Sequence, residues 1–137
     1  MTRRTERILR KYVLALRLAQ LATAKAERHR RALEHTRRRL VDAQAQLGQH
    51  NRQMEGADLA ARLEWSDRLA AATASLDMPL NDASAACVDA ARAATLANGQ
   101  AEIVERTHHA ALQSDTRDRE IGQLQNLPRK LKSRGMR

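Results

Sequence analysis

Residues 80–111 read LNDASAACVDAARAATLANGQAEIVERTHHAA. Within them Leu80, Ala83, Cys87, Ala90, Ala94, Ala97, Ala101, Val104, His108 and Ala111 follow one another by threes and fours. That spacing places side chains on one helical face and, when sustained, forms the contact seam of a coiled coil. The seam is nearly all alanine. A second stripe precedes it: counting in sevens, Tyr12, Ala19, Ala26, Leu33, Leu40, Leu47 and Met54 form one series, and Ile8, Ala15, Ala22, His29, Thr36, Ala43, His50 and Ala57 lie three residues after successive members from Thr5 onward.

Composition points the same way. The chain of 137 residues holds 26 alanines and 18 leucines but only three isoleucines, four valines, one tryptophan, one tyrosine and no phenylalanine. Strands and packed globules draw on the residues that are scarce here, which removes most all-β and α/β folds. Five glycines and two prolines leave few turns. The expected fold class is all-α, a long antiparallel two-helix coiled-coil hairpin in one domain spanning residues 1–137.

The turn is expected in the stretch 75–82, SLDMPLND, because Pro79 disfavours helix at Met78 and Asn81 or Asp82 can cap a new helix. That gives a first helix over about residues 2–76, a turn at about 77–82, a second helix over about 82–127 ended by Pro128, and a basic tail at 128–137. A rival turn uses Gly48, Asn51 and Gly56, within about 48–57, and leaves Pro79 as a kink in the second helix. Each alanine in the seam forgoes roughly 2 kcal/mol of burial relative to leucine, at about 0.8 kcal/mol per methylene, so the isolated hairpin is expected to be marginally stable. An alanine seam also lets two helix axes approach near the short end of the usual range.

The net charge of +9 is unevenly divided: residues 1–40 carry 13 Lys or Arg against three acids, residues 41–128 carry seven against 13, and residues 129–137 carry five against none. Positive charge at Arg3, Arg4, Arg7, Arg10 and Lys11 opposes the helix macrodipole. With a turn near Pro79 the chain ends approach each other, and these residues are expected to join Arg129, Lys130, Lys132, Arg134 and Arg137 in one basic end facing an acidic surface, nucleic acid or anionic lipid. Ile8, Leu9, Tyr12, Val13, Leu16 and Leu18 are read as packing residues rather than a lipid face, and Trp65 with Leu69 likewise.

The chemistry-bearing residues form no site. His29, His35, His50, His108 and His109 include no pair four apart, Cys87 stands alone, and no phosphate loop, zinc-protease or nucleophile-elbow motif occurs. The expectation is no enzyme, no metal and no cofactor. No run of 18 apolar residues suggests a membrane span, the N-terminal region lacks the look of a secretory signal, and a single cysteine fits a reducing, intracellular setting.

The layout resembles the YscO and FliJ families, the small stalk proteins of type III secretion and flagellar export. The likeness lies in Thr2-Arg3-Arg4-Thr5-Glu6-Arg7, a long Ala/Arg/Gln helix, Leu63-Glu64-Trp65, the polar Leu80-Asn81-Asp82 about fifteen residues later, and a second long helix. The short segment after Pro128 departs from the longer charged second helix common in those families. The resemblance implies a cytoplasmic, non-enzymatic monomer, peripheral at the inner-membrane export apparatus. Its basic end (Arg3, Arg4, Arg7, Arg10, Lys11, Arg129, Lys130, Lys132, Arg134) would meet a hexameric export ATPase. Its other end (Met78, Pro79, Leu80, Asn81, Asp82) would meet the cytoplasmic domain of the export gate. Export chaperones are further implied partners. The competing class is a basic coiled-coil scaffold or a nonspecific nucleic-acid-binding protein, and the absence of basic-zipper features argues against the latter.

Overall fold

A computed structural model describes the backbone of residues 2–50 and 56–135, and the side chains of residues 2–49 and 56–126. The described chain is all-α, in three helices: α1 (Thr2–His50), α2 (Ala57–Ser75) and α3 (Asp77–Gly135). No strand occurs among the described residues.

The expected turn at 77–82 is helix instead, and Pro79 is the reason the sequence misleads. Asp77 opens α3, so Pro79 sits in the first turn, where the backbone N–H has no partner inside the helix and its loss removes no bond. The chain is barely interrupted there. Leu76 keeps a right-handed helical backbone at φ −85°, ψ −12°. Its N–H reaches the Thr73 carbonyl at 3.1 Å, and the Leu80 N–H already bonds to the Leu76 carbonyl at 2.9 Å. Neither Asn81 nor Asp82 caps a helix. Pro128 does not end α3 either, since the helix runs on to Gly135, through the stretch expected as a tail.

The chain breaks instead between α1 and α2. Gly56 has φ 76° and ψ −137°, a backbone region essentially reserved for glycine, and is the sole positive-φ residue among those described. Its carbonyl accepts from the N–H groups of Leu59 and Ala60 at 3.1 and 3.3 Å, starting α2. Met54 of the expected stripe, and Asn51 of the rival turn, lie outside the described residues.

Two compact units make up the chain. One joins Met1–Leu18 with Ala94–Arg137. Inside it Thr5 Oγ1 lies 2.8 Å from His108 Nδ1 while donating to the Thr2 carbonyl at 2.9 Å. One hydroxyl proton cannot serve both bonds, so the Nδ1–H tautomer of His108 is the one that satisfies them. Ile8 lies with Thr5, Val104 and Thr107 around a small apolar cavity of about 90 Å³. Ala101 is buried, at 7% exposure.

The other unit is Ala19–Ala93. Thr23 Oγ1 reaches the Ala90 carbonyl at 3.2 Å, and Arg37 pairs with Asp77 at 3.5 Å. Leu80 and Ala83, at 8% and 4% exposure, are the buried apolar residues of this unit among those described.

The α3 seam is found where the spacing put it: every member from Leu80 to Ala111 is buried or half-buried. It also continues backwards in phase through Leu76, Thr73, Leu69, Ser66, Arg62 and Leu59, all half-buried. On α1 only half of the expected stripe faces inward. Tyr12, Ala19, Ala26, Leu33, Leu40 and Leu47 are half-buried, but Ile8, Ala15, Ala22, His29 and Thr36 are exposed. The places of the first four belong to the next residues along, Leu9, Leu16, Thr23 and Arg30, while Thr36 and its neighbour Arg37 are both exposed. Further on, Ala43 and its neighbour Gln44 are both half-buried.

Glycines give a direct test of this backbone. A Cβ at Gly99 would meet nothing within 4 Å, so Gly99→Ala should stabilise the chain by about 0.5–1 kcal/mol through helix propensity alone. Gly56→Ala should destabilise it by about 1–3 kcal/mol, because alanine strains at that φ. Urea titrations followed by circular dichroism would measure both; a neutral Gly56→Ala would mean that the turn is built otherwise.

Candidate functional site

The helical start that carries Arg3, Arg4, Arg7, Arg10 and Lys11 has no acidic residue in its first turn. All five side chains are exposed. Arg10 pairs with Glu6 at 2.7 Å one turn away, a contact worth a few tenths of a kcal/mol at such exposure. Arg3, Arg4, Arg7 and Lys11 have no ion-pair partner among the described residues. Positive charge is therefore held against the dipole of α1 with little local compensation.

The expected union of these residues with the C-terminal basic group falls on side chains outside the described residues, but the backbone sets the two groups apart along α3. Thr5 stands beside His108, and Arg129 lies 21 residues further along α3, about 30 Å at 1.5 Å per residue. The cause is the position of the turn. With the break at Gly56 rather than at Pro79, α1 has 49 residues, and α3 alone has 59. The helix therefore passes well beyond the start of α1. From Leu112 to Asn126 almost every side chain is exposed, Ile121 and Leu124 at 52% and 64%. Arg129, Lys130, Lys132 and Arg134 lie on the last turns of α3, and their side chains fall outside the described residues.

Met78, Pro79, Leu80, Asn81 and Asp82 occupy the first turns of α3 rather than a connection. Leu80 points into the seam and the other four are exposed. As a set they are a helix flank.

A second cationic surface escaped the sequence reading. Residues 25–39 contain Lys25, Arg28, Arg30, Arg31, Arg37, Arg38 and Arg39 against Glu27 and Glu34. Inward positions on α1 turn Arg30 towards the seam, and the rest of these cations are exposed. Arg31 pairs with Glu27 at 3.2 Å and Arg37 with Asp77 at 3.5 Å. Lys25, Arg28, Arg38 and Arg39 have no such partner among the described residues. The signal that would have found this surface is the net charge of that fifteen-residue window, which the whole-segment count over residues 1–40 concealed. On the facing arm, residues 69–91 contain Asp77, Asp82 and Asp89 and no Lys or Arg. One helix of the unit is thus strongly positive and the other mildly negative.

Arg30 and Arg62 carry charge into the seam itself. Arg30 Nε and Arg62 Nη1 are enclosed by protein and have no hydrogen-bond partner among the described residues. Arg30 Nη1 reaches Glu34 at 3.5 Å. Among the described residues no group of three or more His, Cys, Asp and Glu is placed to hold a metal ion, and no helix is long and apolar enough to cross a membrane.

Comparison with protein-family models, with curated proteins and with solved structures returns no match.

An enclosed, unpartnered donor costs about 1–3 kcal/mol, more than a half-exposed pair one turn away returns. Arg30→Leu should therefore raise the unfolding free energy by on the order of 1 kcal/mol, read from urea denaturation. A loss of stability would show that the guanidinium is a net contributor to the seam.

Proposed function

We propose that this chain is a non-enzymatic central-stalk component of a type III protein export apparatus, in the cytoplasm and peripheral to the inner-membrane export machinery. It couples a hexameric export ATPase to the cytoplasmic domain of the export gate and meets export chaperones. The chain works as a monomer, and its arms form an antiparallel coiled-coil hairpin. The three-and-four alternation of inward positions on both arms supports that geometry. So do the opposed pairs Thr23 with Ala90 and Arg37 with Asp77.

The observation that carries the reading is a narrow, alanine-lined seam beneath a helix start whose cations are exposed and largely unpaired. Small seam residues keep two helices close together, as entry into a ring requires. Free arginines steer such an end towards an acidic lining and form bidentate bonds with carboxylates there. The ATPase contact is assigned to Arg3, Arg4, Arg7, Arg10 and Lys11, with Arg129, Lys130, Lys132 and Arg134 as a separate group on α3. The gate contact passes from residues 78–82 to the turn at Gly56, because the former lie within a helix.

The runner-up is a nonspecific nucleic-acid-binding protein, and the Lys25 to Arg39 surface is the observation that favours it. One set of variants separates the two. Arg3, Arg4, Arg7 and Arg10 changed together to glutamate should abolish stimulation of a cognate export ATPase. Helicity should stay equal or rise slightly, since acids suit a first turn. Reversing Arg62, Arg68, Arg92 and Arg106 should leave stimulation largely intact. Tight duplex binding at physiological salt, with a log-log salt slope of about −0.9 per phosphate neutralised and no effect of the first variant on any ATPase, would decide for nucleic acid.

A further inference from the structure

The seam uses one side of early α1 and leaves the other open. In the unit that joins Met1–Leu18 with Ala94–Arg137, the half-buried positions between Arg3 and Leu18 are Thr5, Leu9, Tyr12, Val13 and Leu16. Opposite them Arg4, Arg7, Lys11, Leu14 and Leu18 follow one another by threes and fours, which makes them one stripe along the helix, and all five are exposed. Arg3, Arg10 and Arg17, spaced by sevens, run along its edge and are exposed too. Leu14 and Leu18, neighbours one turn apart, are 58% and 59% exposed. Leu18 was expected to pack and instead lies on this outer face.

Residues 2–18 hold six cations against Glu6 alone, and Arg10 engages that one acid. A stripe so cationic attracts an anionic partner, and the leucines decide which kind. Against the phosphates of a nucleic-acid duplex they gain nothing. Stacking on the bases of a single strand takes exposed aromatic rings, and Tyr12, the one aromatic of the segment, is a half-buried seam residue. An anionic bilayer offers both parts at adjoining depths: headgroup phosphates for the guanidinium forks and, just beneath, acyl chains for the leucine tips. The long stems of Arg and Lys let the charges stay with the headgroups while the leucines go deeper. The stripe is the convex side of a single helix, about 22 Å long from Arg3 to Leu18, and suits a flat partner. Two leucines bury too little area to hold neutral lipid, so the contact depends on negative headgroups. No described helix is long and apolar enough to cross a membrane, so this contact lies in the plane of the surface.

We infer that the outer face of early α1, built from Arg4, Arg7, Lys11, Leu14 and Leu18, docks side-on to an anionic lipid bilayer, with the cations on headgroup phosphates and the leucines at the acyl boundary. The inference goes beyond the export reading. Both draw on the same cations, but only the lipid contact uses the leucines, so either can fail without the other.

Sedimentation of the whole chain with vesicles tests it. The chain should co-sediment with vesicles of equal parts phosphatidylcholine and phosphatidylglycerol, less so as salt rises, and should not bind phosphatidylcholine alone. Leu14→Gln combined with Leu18→Gln keeps charge and helix propensity, so circular dichroism should be unchanged while vesicle binding falls about tenfold or more. Leu63→Gln combined with Leu96→Gln, at leucines 51% and 65% exposed elsewhere, should change binding less than about twofold. Trp65 is the only tryptophan of the chain, so Leu18→Trp in a Trp65→Tyr background gives a single reporter, whose emission should shift to the blue on the mixed vesicles. Absence of co-sedimentation, tight binding to duplex DNA with none to the vesicles, or a glutamine variant of Leu14 and Leu18 that binds vesicles as well as the unaltered chain would overturn the proposal.

Discussion

Everything in this chain depends on an unbroken alternation of steps of three and four along the arm from Leu59 to Ala111. Neither arm could fold as an isolated helix of high stability, because helical order in water comes chiefly from burying a face. Here the face is shallow. Buried apolar residues among those described are Leu80, Ala83 and Ala101, two of the three being alanine. Where bulk is missing, register has to be fixed by direction-specific contacts. The hydroxyl of Thr23, shared between the Ala19 carbonyl of its own helix at 3.0 Å and the Ala90 carbonyl across the seam at 3.2 Å, contributes to this in one unit, and the Thr5 to His108 bond does it in the other. Polar seam residues of this kind trade stability for a defined alignment.

That constraint also explains what was legible. The α3 seam could be read outright, since alanines recur at its positions and few apolar neighbours compete with them. The α1 seam was read half correctly because its sequence offers two candidates side by side. Ala15 stands beside Leu16, Ala22 beside Thr23 and His29 beside Arg30. A hydropathy count prefers Ala22 to Thr23, yet Thr23 faces inward, where its hydroxyl lies 3.0 Å from the Ala19 carbonyl of its own helix and 3.2 Å from the Ala90 carbonyl across the seam. Pro79 misled for a related reason. A proline in a helical pattern normally marks its end, but in a first turn it removes no bond, and the seam passes through Leu76 to Leu80 in phase. Carrying the alternation back to Leu69 and Leu59 would have moved the turn to Gly56.

The position of the turn then decides which charges meet. Seam phase on α1 directs Arg28, Arg31, Arg38 and Arg39 away from α3, so they remain a free surface, while the acids at Asp77, Asp82 and Asp89 sit on the other arm. Exposed pairs such as Arg31 with Glu27 and Arg68 with Glu64 neutralise little of this, being single contacts in high dielectric. A surface left so charged favours association with an oppositely charged partner and weakens the isolated fold through self-repulsion.

Arg30 and Arg62 bring the same tension into the interior. Each has a guanidinium nitrogen shut off from solvent with no acceptor among the described residues, and both belong to the unit Ala19–Ala93. Replacing either by leucine would make a better seam by the area rule alone, so their presence lowers the stability of that unit. The two differ in what lies around them. Arg30 has Glu34 within reach, whereas Arg62 lines an open crevice beside Trp65 with no paired acid among the described residues. A partner that binds the folded unit in preference to the unfolded chain raises its stability with partner concentration by mass action. The thin seam makes that linkage consequential, because in a unit with so little buried area one or two kcal/mol from a partner is a large fraction of the total.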